Sequence, residues 1–193
     1  MNKAIDQSTF LEFYRNSVMN YSVAMKTAIR QRLQDEKKIT FDQQTSLTDT
    51  DDFPVYFPSK KDVDLIIKDT TVNPKFSNFY ENWEFIKLYK YSVPLFFESN
   101  KKISDLLNKL GLKEFNERDY RSSRILPIEL KTAEPIYKHE AGKYIIKFVL
   151  QKSYFDREAQ NSVDYRYPIV VYMDEKRHIL EIRYDSLKYG STQ

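Results

Sequence analysis

Glu129-Leu130-Lys131, ten residues after Asp119, is the arrangement in this chain best suited to chemistry. An acid followed by an (Asp/Glu)-x-Lys triplet on a strand can hold Mg²⁺ through its carboxylates, while the lysine positions a water; this is the chemistry of a metal-dependent nuclease. The triplet also recurs at Asp35 to Lys37, Glu36 to Lys38 and Asp174 to Lys176, where it has no catalytic setting. Glu129 and Lys131 are therefore expected to be the solvated face of a strand, and no catalytic residue is assigned.

A second arrangement concerns nucleic acid. Ile103 to Leu112 reads as a helix closed by Gly111, like the first helix and turn of a helix-turn-helix, whose turn needs a residue at positive φ. That motif wants a small residue four before the glycine and an apolar one six after it, but Leu107 and Glu117 stand there. Lys113, Arg118, Arg121 and Arg124 could still contact phosphates, and residues 101 to 152 hold 12 Lys/Arg against 7 Asp/Glu. Nucleic-acid binding is thus the alternative reading, and a nuclease the second alternative.

Other routes to chemistry close quickly. Cysteine is absent, which removes disulfides, thiolate metal sites and cysteine nucleophiles. The three glycines, Gly111, Gly142 and Gly190, are too dispersed for a phosphate-cradling loop. His139 and His178 are far apart in sequence and are expected to be structural. Asp49, Asp51 and Asp52 crowd one loop without the glycine and terminal glutamate of a calcium site. No cofactor and no metal are expected.

What the chain has in excess is aromatic surface: 15 Tyr, 13 Phe and one Trp. Such rings bury much area at low entropic cost and concentrate at interface hot spots. Phe53, Tyr56 and Phe57, held between Pro54 and Pro58, together with Trp83 in the aromatic segment 79 to 97, are the candidate partner-binding residues.

The elements that must position these groups follow from periodicity. Phe10, Phe13, Tyr14, Val18, Tyr21, Met25, Ile29 and Leu33 return every three or four residues, which predicts one amphipathic helix over residues 8 to 36. Ile39 to Phe41 suggests a short strand. Ser59 is expected to cap a helix that turns Val63, Ile66 and Ile67 inward and stops near Thr70. Phe79, Trp83, Ile86 and Tyr89 fit a further helix that Pro94 must kink or end. From Arg124 the period becomes two: Ile128 to Lys131, Tyr144 to Leu150, Tyr165 to Met173 and His178 to Tyr184 read as strands. Asp174 to Arg177 is the polar turn of a hairpin that sends Ile169, Val171, Leu180 and Ile182 to the core.

The expected fold is α+β, with a helix-rich N-terminal part (1–122) packed on a C-terminal antiparallel β-sheet (123–193) as one folded unit. At 193 residues, 41% hydrophobic and 31% charged, the composition is globular. No signal peptide and no apolar stretch long enough to cross a bilayer occur, so a cytoplasmic location without membrane contact is expected. The abundance of Lys, Asn, Ile and Tyr suggests AT-rich coding sequence from a low-GC bacterium, a phage or another mobile element. A non-catalytic binding or regulatory role toward a protein partner is the reading that these residues favour.

Overall fold

The fold was obtained as a computed structural model that describes residues 7–43, 54–98, 102–115 and 132–185. It is α+β, with helices leading and strands following, and it divides into two compact units, Gln7–Trp83 and Glu84 onward. The division falls between Trp83 and Glu84, within the helix Ser77–Ile86, and the chain beyond that helix supplies strands to the sheet.

In the helical unit, α1 (Gln7–Met19) and α2 (Val23–Asp35) replace the single helix that the apolar stripe predicts. Ser22 breaks it: its backbone is extended, and its hydroxyl accepts from the Met25 amide at 3.3 Å, as an N-cap does. Lys26 then spans the break, donating to the Met19 carbonyl at 3.4 Å and to Asp64 at 2.5 Å. Helix α2 ends in a Schellman turn, in which the Lys38 amide reaches the Leu33 carbonyl and the Lys37 amide that of Gln34, with Lys37 at φ 54.

The two-residue strands β1 (Ile39–Thr40) and β2 (Val55–Tyr56) pair in parallel. Helix α3 (Val63–Thr71) buries Ile66 and Ile67 as expected, but Asp62 holds its N-cap position while Ser59 accepts from Lys61 in the preceding turn. Helix α4 runs Ser77–Ile86. Phe57, Phe76, Phe79, Tyr80 and Trp83 join Ile29, Leu33, Ile66 and Ile67 in one core. There the Tyr80 and Thr70 hydroxyls share a hydrogen bond of 2.6 Å. Burial holds the Tyr80 phenol well above its ordinary range, against the opposing effect of that bond.

The second unit is a six-stranded sheet in the order β3-β8-β7-β6-β5-β4. Its strands are β3 (Tyr91–Phe96), β4 (Lys113–Glu114), β5 (Thr132–Glu140), β6 (Lys143–Asp156), β7 (Asn161–Asp174) and β8 (Ile179–Tyr184). Neighbours are antiparallel except β4, which runs parallel to β5, so the sheet is mixed. The β7–β8 hairpin forms with Val171 opposite Ile182 and Met173 opposite Leu180. Asp174 makes its turn, accepting from the Lys176 and Arg177 amides at 3.1 Å each. His178 is exposed at φ 54 in that turn, outside the strand that alternation alone assigns to it.

Helix α5 (Ile103–Lys109) packs Ile103 and Leu107 on Tyr144 and Ile146, on one face of the sheet. The predicted stop at Gly111 is present at φ 66, with the Leu112 amide on the Leu107 carbonyl. The chain then enters strand β4, so no second helix follows the turn directly, as a helix-turn-helix would require. Ile128 to Lys131 lie outside the described residues. Among those described, no helix is long and apolar enough to cross a membrane.

Candidate protein-interaction edge

Strand β3 is the part of residues 77 to 98 that helical periodicity misreads. Its sequence, Tyr91-Ser92-Val93-Pro94-Leu95-Phe96, alternates at period two, and Pro94 sits inside the strand instead of ending a helix. Proline is tolerated in sheets on an edge, where its missing N–H costs no ladder bond, and β3 ends the strand order. The phase of the ladder shows why it fits. Phe97 donates to the His178 carbonyl at 3.1 Å, in register with the Tyr91 to Tyr184 pairing. Backbone groups of successive residues alternate in direction, so 91, 93 and 95 turn theirs toward β8. Ser92, Pro94 and Phe96 turn theirs outward, and among the described residues no strand pairs with that side.

Exposure grades across one face of the sheet. Directly opposed residues in antiparallel neighbours project to the same side, so Val93, Ile182, Val171 and Ile146 form one row, and Leu95, Leu180, Met173 and Tyr144 the next. Ile146 and Tyr144 are buried beneath α5; Val171, Met173, Ile182 and Leu180 are half-buried. Val93 is 41% exposed, Leu95 47%, Tyr91 40% and Phe96, on the opposite face, 84%. Tyr91 stacks on Tyr184 with centroids 5.3 Å apart. The other face beside β3 is polar. Glu181 accepts from Ser92 and, at 2.6 Å, from Arg183, and the Arg183 bond is the main reason its carboxyl is lowered below the usual range, against partial desolvation.

A second constellation lies deeper on this other face. Glu84 accepts through Oε2 from Lys147 Nζ at 2.9 Å and from Arg166 Nη2 at 3.0 Å, and all three residues are buried. Lys147 also lies over the Phe85 ring at 4.8 Å. Burial alone would raise the Glu84 carboxyl, but the two cations and their hydrogen bonds outweigh it and hold it at about 2. The cluster ties Glu84 to one residue of β6 and one of β7. It presents no reacting atom to solvent.

Of the residues that sequence singles out, Phe57 and Trp83 are core and offer no surface, and Tyr56 is half-buried in β2. Phe53 lies outside the described residues, as do Arg118, Arg121, Arg124, Asp119, Glu129, Lys131 and the Asp49 to Asp52 loop. Lys113 is exposed on β4, and His139 is exposed and stacked on Tyr144 at 4.2 Å. The signal for β3 in the sequence is the Tyr91-Val93-Leu95 alternation, with Pro94 as an edge marker. Compared with protein-family models, with curated proteins and with solved structures, the chain gives no match.

Proposed function

We propose that the protein is a non-catalytic binding module that engages a protein partner through the β3 edge and the open apolar rows beside it. The observation that carries this reading is the juxtaposition of outward backbone groups on β3 with exposed Tyr91, Val93, Leu95 and Phe96 in a strand without a charged residue. Such edges are usually blunted by charge, proline or a covering element; β3 carries only Pro94, and the exposed apolar residues around it support an interaction site.

The test places a photo-crosslinking phenylalanine analogue at position 96, and separately at Phe155, which is exposed on a different part of the sheet, in cells that make the protein. A discrete adduct is expected from position 96, absent from 155, and lost when Leu95→Lys is added to the same chain. Its affinity should change little between low and physiological salt, unlike a phosphate contact. An absent adduct, or one indifferent to Leu95→Lys, overturns the reading.

A further inference from the structure

Resting on that reading, we infer that the partner contributes an extended segment that adds to the sheet as a strand at β3, apolar at alternate positions and small opposite Pro94, and that this partner is a foreign chain and not a second copy. The backbone requires the strand form. Ser92 and Phe96 each turn an N–H and a C=O outward, and Pro94 a C=O, at the spacing that an antiparallel strand satisfies. A partner helix has its own backbone groups bonded internally and would leave these to water.

Side chains set the pattern. Residues of the added strand opposite Tyr91, Val93 and Leu95 continue the apolar rows that run through Leu180, Ile182 and Tyr184. Those opposite Ser92 and Phe96 fall on the polar face beside Glu181 and Arg183, so β-branched polar residues suit them. The residue opposite Pro94 meets ring carbon where an N–H would stand, so its carbonyl goes without that bond and its backbone must yield locally, which glycine does most readily.

Pro94 also separates a foreign strand from a second copy. Two β3 edges related by a two-fold axis bring a proline from each copy into one ladder, so each copy forgoes a donor, and in the centred register the two rings collide. A foreign strand meets a single Pro94. The same residue therefore guards against self-pairing while leaving hetero-pairing open.

The test uses the full chain and a capped peptide, Lys-Val-Thr-Val-Gly-Val-Thr-Val-Lys, titrated to millimolar concentration by NMR. Amide shifts centred on Ser92 and Phe96, with slowed exchange of both amides, are expected. N-methylation of the Thr and Gly residues, whose N–H groups face β3, should weaken binding at least tenfold. N-methylation of the Val residues, which face away, should leave it within about threefold. Pro94→Val should convert a chain that does not self-associate through β3 into one that does, seen by gel filtration. No response at Ser92 and Phe96, or equal effects of the two methylation patterns, overturns strand addition. If the adduct at position 96 still forms in that case, the protein-binding reading stands without it. Chains that keep Pro94 and cross-link to each other through the analogue at position 96 would make the occupant a second copy and overturn the inference.

Discussion

The two units differ in what they leave open: both bury rings and some charged groups, but the sheet unit has an exposed apolar strand at its edge. In the helical unit Phe57, Phe76, Phe79, Tyr80 and Trp83 are turned inward, and the buried Lys26 reaches the exposed Asp64. In the sheet unit the rings and aliphatics of β3 are open, whereas Glu84, Lys147 and Arg166 are enclosed. Geometry accounts for the difference. A helix has one apolar stripe to cover, and helices packed around a centre cover one another's. A sheet has two faces and two edges. The cluster around the short α5 is buried at Tyr144 and Ile146 and takes in Val171 and Met173, and toward β3 the rows become more exposed.

The largest expected effect breaks the charged half of this contrast. Glu84→Ala leaves Lys147 and Arg166 buried without their shared carboxylate and should cost about 3–5 kcal/mol, read by urea unfolding. Acid reports the same site. The Glu84 carboxyl is held at about 2 in the folded chain, against an ordinary 4.5. Its contribution is therefore fully present above pH 4.5 and is lost as pH falls toward 2. The unfolding midpoint should drop through that window, and Glu84→Gln, although less stable near neutrality, should show a shallower decline. An equally steep decline in the variant would assign the acid sensitivity to other carboxylates.

The next effect tests the apolar half. Ile67→Ala removes a fully buried side chain from the helical core and should cost about 2–5 kcal/mol by transfer and cavity terms together, with no dependence on pH between 4.5 and 2 beyond that of the parent. By contrast, Val93→Thr at the open end of its row should change stability by less than about 0.5 kcal/mol. A large loss at Val93 would show that the row is already covered, removing the basis for an interaction edge.

How far these features are legible from sequence depends on the range of the interactions that create them. The β7–β8 hairpin could be read because alternation on both sides of Asp174 to Arg177 and the turn chemistry agree within one short segment. The stop at Gly111 is equally local. The break at Ser22 was hidden because the apolar stripe of α1 and α2 keeps its period across the gap, and only the cap marks it. Strand β3 is hidden in the sequence because proline there has its usual helix-breaking meaning, whereas its strand meaning depends on an edge position that β8, far along the chain, creates. The Glu84 cluster had no local signature at all. Lys147 within Ile145 to Leu150 is visible as a lysine on the mixed face, but its partner lies 63 residues away.

The smallest expected effect compares the two units at one shared motif. Both α2 and α5 end in a Schellman turn whose C′ residue is left-handed: Gly111 at φ 66 in the sheet unit, Lys37 at φ 54 in the helical unit. Glycine adopts this conformation freely, whereas a side chain meets the following carbonyl at a cost of about 1–2 kcal/mol, part of which the motif's two hydrogen bonds offset. Gly111→Ala should therefore lower stability by about 1 kcal/mol, and since no neighbour lies within 4 Å of a Cβ built there, the loss would be backbone strain and not a clash. Lys37→Gly should raise stability by about 0.5–1 kcal/mol, less than the strain alone because the unfolded chain also gains freedom. Opposite signs in paired urea titrations are the expected outcome. A Lys37→Gly variant less stable than its parent would mean that the lysine side chain contributes more at the end of α2 than its backbone costs, and the two caps would then not be equivalent.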